Sequence, residues 1–159
     1  MSLTVKSPSF TEGHAIPTEH TEDGTDLSPS LTWTVPPKGT ASFVLIMDDP
    51  DAPVEEPWVH WILANIPPTA LSLPPGFHEK TTPDDAPSGL VQGLNTWGTV
   101  GYRGPAPPRG HGVHHYHFKL YAVDGALAIA PGISKHELLE TLSGHVLARG
   151  ELVGTYRRD

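Results

Sequence analysis

Cysteine is absent from this sequence of 159 residues. Disulfide bonds, thiolate nucleophiles and cysteine-type zinc sites are therefore excluded together. Cationic residues are few, with 10 lysines and arginines against 18 aspartates and glutamates, and a net charge of −8 gives no sign of a nucleic-acid-binding surface. No apolar run approaches the roughly 18 residues of a membrane span, and residues 1–10 contain no apolar segment of a signal peptide. We therefore expect a cytoplasmic protein.

Proline and glycine, in contrast, are abundant, with 18 and 16 residues. So many prolines exclude an all-helical fold, because proline disrupts helix interiors. A collagen-like or disordered chain is excluded as well, since no G-X-Y period occurs and hydrophobic residues reach 37%. The length fits one domain, which we expect to span residues 1–159.

Short apolar segments bounded by turn residues predict β-strands along most of the chain. They cover residues 31–35, 43–47, 59–66, 113–123 and 152–156. One helix is predicted near residues 135–149, with Ser134 as N-cap, Glu137 as its capping-box partner and Gly150 just past the end. Gly144 lies inside this pattern and weakens it by about 1 kcal/mol relative to alanine. Many strands and one late helix predict a mainly β, sandwich-type domain.

Two segments near the middle of the chain carry polar residues beside apolar strands. Residues 48–53, Asp-Asp-Pro-Asp-Ala-Pro, follow the most hydrophobic strand, and their two prolines stiffen the loop. Solvated aspartates in a proline turn are the alternative interpretation. In the next strand, alternation places Trp58, His60 and Ile62 on one face, opposite Val59, Trp61 and Leu63. His60 is therefore either a core histidine with satisfied hydrogen bonds or a ligand-binding residue.

A third segment, residues 101–118, leads a loop rich in glycine and proline straight into a strand. Glycines allow main-chain amides to approach a ligand closely, and amide, histidine and tyrosine donors suit an oxyanion. Alternation places His114 and Tyr116 on the same face as Phe118 and Leu120, and it turns His115 and the residues at 117, 119 and 121 to the other face. A polar loop with solvated histidines is the alternative.

Together these motifs resemble the phosphatidylethanolamine-binding protein family, which includes Raf kinase inhibitor protein, and in layout its short prokaryotic branch. The matching residues are 49–53 (Asp-Pro-Asp-Ala-Pro), 58–60, 104–110 (Gly-Pro-x-Pro-Pro-x-Gly) and 114–118 (His-x-Tyr-x-Phe). They occur in the family's order, within a resemblance that runs from about residue 27 to residue 157. The resemblance implies two packed antiparallel sheets, a C-terminal helix, few peripheral helical turns and one small anion pocket.

The resemblance also implies the residues of that pocket. Its expected ligand-binding residues are Asp49, Pro50, Asp51, His60, Gly104, Ala106, Pro107, His114, Tyr116 and Tyr156. One departure is His115, which stands where the family usually has arginine between the histidine and the tyrosine. By alternation this side chain points away from the pocket, so we expect anion binding to survive. A salt bridge on the opposite face should become weaker and pH-dependent.

The leading hypothesis is a non-catalytic protein that binds a phosphate-bearing headgroup such as phosphoethanolamine, with His60 or His114 supplying positive charge and with no cofactor. One alternative, from the family, is an inhibitor of a kinase or a serine protease that uses the same surface. Another is a zinc enzyme built on His115 and His117. Nucleophilic catalysis is disfavoured, because the sequence has neither G-x-S-x-G nor cysteine. The short relatives also suggest a homodimer, which no individual residue demands.

Overall fold

A computed structural model of the chain describes residues 2–125 and 127–159. Its strands form two antiparallel sheets, one of three strands and one of five. The strands are β1 (Val5–Lys6), β2 (Leu31–Trp33), β3 (Ser42–Asp49), β4 (Trp58–Ile66), β5 (Ser72–Leu73), β6 (Val91–Gln92), β7 (His114–Val123) and β8 (Val146–Tyr156). Their orders are β1-β2-β5 and β6-β4-β3-β7-β8. The mainly β architecture with two sheets is thereby confirmed.

The main core lies between the two sheets. It joins Leu31 and Trp33 of β2 to side chains of β3, β4 and β7, among them Phe43, Trp61 and Phe118. A second apolar cluster lies on the outer face of the larger sheet, where Val44, Ile46 and Ile62 pack against helix α1 (Lys135–Leu142). Strand β3 is therefore buried on both faces, which is the arrangement that its uninterrupted apolar run favours.

The helix begins as predicted but ends earlier. The Ser134 hydroxyl accepts a hydrogen bond from the Glu137 amide at 3.2 Å, which confirms the N-terminal cap. The predicted end near residue 149 is wrong, because α1 stops at Leu142 and Gly144 has a φ of +82°. Glycine adopts this left-handed conformation without steric cost, so the chain turns there. Val146 then starts the eleven-residue strand β8, which pairs with β7 along its length.

Strand β4 contains a β-bulge that changes its predicted alternation. Trp61 lies opposite Met47, whereas Val59 lies opposite Asp48, so His60 is an extra residue without a partner in this register. Val59 packs on the helix side of the sheet with Ile62, and Trp61 packs in the core between the sheets. The His60 ring packs 5.2 Å from Tyr116 of the core between the sheets, so the prediction that His60 and Ile62 share a face is wrong.

In β7 the predicted alternation is confirmed. The side chains of His114, Tyr116, Phe118 and Leu120 are all buried, at 0–1% exposure. Outside the sheets and α1, a short 3₁₀ turn spans Thr18–His20. In the part of the chain that the structure describes, no helix is long and apolar enough to cross a membrane.

Candidate functional site

An open cavity of about 320 Å³ lies where three strands of the larger sheet meet a cluster of loops. Asp49 ends β3, while Trp58 begins β4 and His114 begins β7. Because neighbouring strands are antiparallel, these ends come together at one edge of the sheet. The cavity is lined by Glu22, Asp49, Ala52, Pro53, Val54, Trp58, His60, Trp97, Ala106, Pro107, Pro108, His114, Tyr116 and Arg158.

Six of the ten residues expected at the site line this cavity, namely Asp49, His60, Ala106, Pro107, His114 and Tyr116. The other four, Pro50, Asp51, Gly104 and Tyr156, are not among the lining residues. The Gly104 amide donates to Asp26 Oδ1 at 2.8 Å, and the Tyr156 hydroxyl donates to Asp23 Oδ2 at 2.8 Å. Both groups therefore already have a protein partner.

Asp51 likewise has protein partners for its carboxylate and its amide. Its Oδ2 accepts hydrogen bonds from the main-chain amide of His115 at 2.7 Å and from the ring Nδ1 of the same residue at 2.8 Å. Its own amide donates to Asp49 Oδ1 at 2.8 Å. The bonds from His115 lower the pKa of the Asp51 carboxyl against the opposing effect of its partial burial. His115 is not among the residues that line the cavity, which agrees with the direction that strand alternation predicts for its side chain.

The buried side chains of Asp49 and His114 form a close pair. Asp49 Oδ2 lies 2.6 Å from His114 Nδ1, and both side chains are at most 4% exposed. The other ring nitrogen of His114, Nε2, lies 2.6 Å from His111 Nδ1. Both nitrogens of His114 are thus engaged with protein groups, and the carboxylate fixes the orientation of the ring.

His60 lies in the cavity wall between aromatic rings. Its centroid is 4.9 Å from Trp97 and 5.2 Å from Tyr116, both in edge-to-face geometry. Ring Nδ1 donates to the Arg103 carbonyl at 2.6 Å. Burial lowers the pKa of His60 to about 4, although the Arg103 carbonyl and the Asp49 charge oppose this shift. His60 is therefore neutral near pH 7 in the ligand-free protein, which gives no support to the expectation that this histidine supplies positive charge.

Two hydrogen-bond donors in the cavity wall lack partners. The Tyr116 hydroxyl and the Trp58 indole nitrogen are buried and make no hydrogen bond to any described residue. Burial, reinforced by the nearby Asp49 charge, raises the pKa of Tyr116 well above its usual range. The hydroxyl consequently keeps its proton and remains a donor. Both residues line the cavity.

Several lining residues lie outside the motifs that the sequence highlights. Glu22 accepts from Arg103 Nη2 at 2.8 Å, and this guanidinium lies over the Trp97 ring at 4.5 Å from its centroid. Arg158 pairs with Asp23 at 2.9 Å. These residues come from loops and from the C-terminal end, where no hydrophobic period predicts a position. The basic pair at 157–158, directly after Tyr156, is the one sequence signal that points toward them.

The histidines of the zinc hypothesis have carboxylate partners. His115 Nδ1 lies 2.8 Å from Asp51 Oδ2, and His117 Nδ1 lies 3.0 Å from Glu151 Oε1. In residues 2–125 and 127–159, no group of three or more histidine, aspartate or glutamate side chains is arranged to hold a metal ion. The described arrangement therefore gives the zinc hypothesis no support.

The family model described as Phosphatidylethanolamine-binding protein matches residues 6–157. The chain belongs to this family. Among relatives, a UPF0098 protein of Methanothermobacter thermautotrophicus is 46% identical over 158 residues, which cover 98% of this chain and 99% of the relative. The resemblance seen in the sequence motifs is thereby confirmed.

Solved structures of phosphatidylethanolamine-binding protein homologues share the fold. Escherichia coli YbcL, described as a new member of the mammalian family, superposes with a TM-score of 0.91 and 33% identity over 100% of both chains. The homologue CT736 of Chlamydia trachomatis superposes with a TM-score of 0.87 and 38% identity over 99% of both chains. This chain therefore shares its fold with other members of the family.

Proposed function

We propose that this family member is a binding protein, organised as one domain, that takes a small phosphate-bearing headgroup in the cavity beside Tyr116. The observation that carries the proposal is the Tyr116 hydroxyl, a buried donor without a partner among the described residues. Such a group costs about 1–3 kcal/mol when it stays unpaired. A phosphate oxygen in the cavity would recover this cost, and the free indole N–H of Trp58 would supply a second donor.

The charges around the cavity favour a ligand that carries both signs. The carboxylates of Asp49 and Glu22 line it, and so does the guanidinium of Arg158. An ammonium group matches the carboxylates, while the donors of Tyr116 and Trp58 match a phosphate. Phosphoethanolamine combines these two groups in one small molecule, so we take it as the probe ligand.

Isothermal titration calorimetry with O-phosphoethanolamine at pH 6 tests the proposal. Tyr116→Phe removes one hydrogen bond to a charged ligand, worth about 1.5–3 kcal/mol, so the affinity should fall roughly ten- to a hundredfold. Tyr121→Phe is the matched control, because it makes the same change on the same strand, on the face turned away from the cavity. Equal affinities of the two variants would contradict the proposed site.

The inhibitory role toward a kinase or a protease stays a prediction of the family resemblance. In this role the protein would use the same surface around the cavity. A pull-down from a lysate of the source organism, with the purified protein as bait, tests the role. A captured protein that O-phosphoethanolamine displaces would favour the inhibitory role. Capture that is unaffected by the headgroup would place any target elsewhere on the surface.

A further inference from the structure

The cavity contains acceptors as well as donors. The partner of His60 Nδ1 is the Arg103 carbonyl, which only accepts hydrogen bonds, so Nδ1 carries a proton. On a neutral ring the other nitrogen, Nε2, then presents a lone pair. Nε2 makes no hydrogen bond to the described residues, and the ring lines the cavity. His60 therefore offers the ligand an acceptor.

The surroundings of His60 keep its ring neutral. The rings of Trp97 and Tyr116 pack on it, the Arg103 carbonyl accepts from its Nδ1, and the main chain of Gly104 lies close to the ring. The carboxylates of Asp49 and Asp48 are the charges that act on the ring, and both favour the protonated form. Burial nevertheless outweighs them and holds the pKa near 4. Between pH 5 and pH 8 the ring consequently remains an acceptor in the ligand-free protein.

Asp49 adds a second acceptor group to the same wall. Its Oδ1 accepts from the Asp51 amide, and its Oδ2 faces His114 Nδ1, so the carboxylate is held by two donors and stays fixed beside the cavity. A fully ionised oxyanion here would face this carboxylate and the His60 lone pair without a proton between them. An oxyanion that retains one acidic hydrogen would satisfy the lone pair instead.

We propose that the cavity binds a phosphate monoester as its monoanion, whose P–O–H donates to His60 Nε2 while another phosphate oxygen accepts from the Tyr116 hydroxyl. This inference rests on the proposed function and adds the protonation state of the ligand. No bond is formed or broken, since the proton is shared between the phosphate oxygen and the ring nitrogen. The second pKa of a phosphate monoester is about 6, so the monoanion prevails at pH 5 and is scarce at pH 8.

A pair of nearly isosteric ligands tests the inference. At pH 5, O-phosphoethanolamine and O-sulfoethanolamine each carry one ammonium group and one tetrahedral group of single negative charge. Only the phosphate retains an acidic hydrogen. Calorimetry should show the sulfate ester binding roughly ten- to a hundredfold more weakly, the cost of one hydrogen bond to a charged group. The affinity for the phosphate ester should also fall about a hundredfold from pH 5 to pH 8, following the loss of the monoanion.

Two variants assign this discrimination to His60. His60→Phe keeps an aromatic ring against Trp97 and Tyr116 but removes Nε2, so the two esters should bind with the same reduced affinity. Tyr116→Phe removes a donor that both esters use, so it should weaken both and keep their ratio. The comparison of the two esters with the unmodified protein stands on its own if the His60 variant does not fold.

The outcomes separate this inference from the proposed function. If the affinity for the sulfate ester at pH 5 is within threefold of that for the phosphate ester, the proposal that the ligand is bound with its acidic hydrogen is wrong. The proposed headgroup site is then unaffected. If His60→Phe still prefers the phosphate, the acceptor is another group and the assignment to His60 fails. If neither ester binds between pH 5 and pH 8, the proposed function fails and the inference fails with it.

Discussion

At the scale of single residues, Tyr116, the proposed ligand donor, is expected to lower the stability of the ligand-free protein. The side chain has no exposed surface, and its ring packs between His60 and the core of the domain. Its hydroxyl has no partner among the described residues. Folding therefore removes a donor from water without replacing the lost hydrogen bond, which is unfavourable until a ligand arrives.

Tyr116→Phe should therefore stabilise the ligand-free protein while weakening ligand binding. Removing an unpaired buried hydroxyl should raise the free energy of unfolding by about 1 kcal/mol. Urea denaturation without ligand measures the change, and Tyr121→Phe, whose ring lies on the other face of β7, should show no comparable gain. A Tyr116→Phe protein less stable than the original would mean that the hydroxyl has a partner in the folded state.

Elements differ in how much of them the sequence predicts. The alternation of β7 and the burial of β3 were predictable, because local periodicity determines them once one face or both faces are covered. The bulge at His60 was not, since it depends on the register that β4 adopts against β3. The helix end carried a local signal in Gly144, but the apolar period continued past it into what is strand β8.

The candidate site divides in the same way. Asp49, His114 and Tyr116 belong to strand ends with recognisable motifs, and the structure brings them to one cavity. Trp97 and Arg158 come from segments without periodicity, and only tertiary contacts carry them there. A linear sequence contains no information on those contacts unless a motif marks them.

One buried carboxylate attaches helix α1 to the larger sheet. Asp48 Oδ2 lies 3.2 Å from Lys119 Nζ of β7 and 2.8 Å from Lys135 Nζ at the start of α1. The Asp48 side chain is 1% exposed, so these two ammonium groups, and not water, compensate its negative charge. Either lysine alone still pairs with the carboxylate, whereas the loss of both would leave a buried charge unpaired.

Replacing the two lysines should consequently cost more together than the sum of the separate losses. We expect Lys119→Met and Lys135→Met each to lower the free energy of unfolding by about 1 kcal/mol or less, and the double variant by about 3 kcal/mol or more at pH 7. Urea denaturation of the four proteins gives the coupling. Strictly additive losses would show that Asp48 does not depend on this pair of cations.

At the scale of the whole molecule, the prediction of the association state rests on the family resemblance alone. The short prokaryotic relatives suggest a homodimer, so light scattering at high micromolar protein should give a particle of twice the 17.1 kDa chain. A particle with the mass of one chain would contradict this prediction. The headgroup proposal uses only residues of one chain, so it does not depend on the result.

The dependence of global stability on pH is a second property of the whole molecule. The lowered pKa of His60 should make the free energy of unfolding fall as the pH falls. In the unfolded chain a histidine has a pKa of about 6.5, whereas burial lowers that of His60 to about 4 in the folded protein. Between pH 6.5 and pH 4, His60 therefore binds a proton in the unfolded chain but stays neutral in the folded protein. The stability from the neutral ring is fully present above pH 6.5 and is lost as the pH falls toward 4.

We expect this single group to remove about 2–3 kcal/mol of stability between pH 7.5 and pH 4.5. His60→Phe should be less sensitive to acid by this amount, whatever its stability at pH 7.5, because it has no proton to bind at that position. The shifted carboxyl of Asp51 titrates in both proteins, so its contribution cancels in the comparison. Urea denaturation of both proteins at the two pH values gives the difference. An equal acid loss in both would show that His60 takes up its proton in the folded state, and the neutral acceptor assigned to the cavity would then be wrong as well.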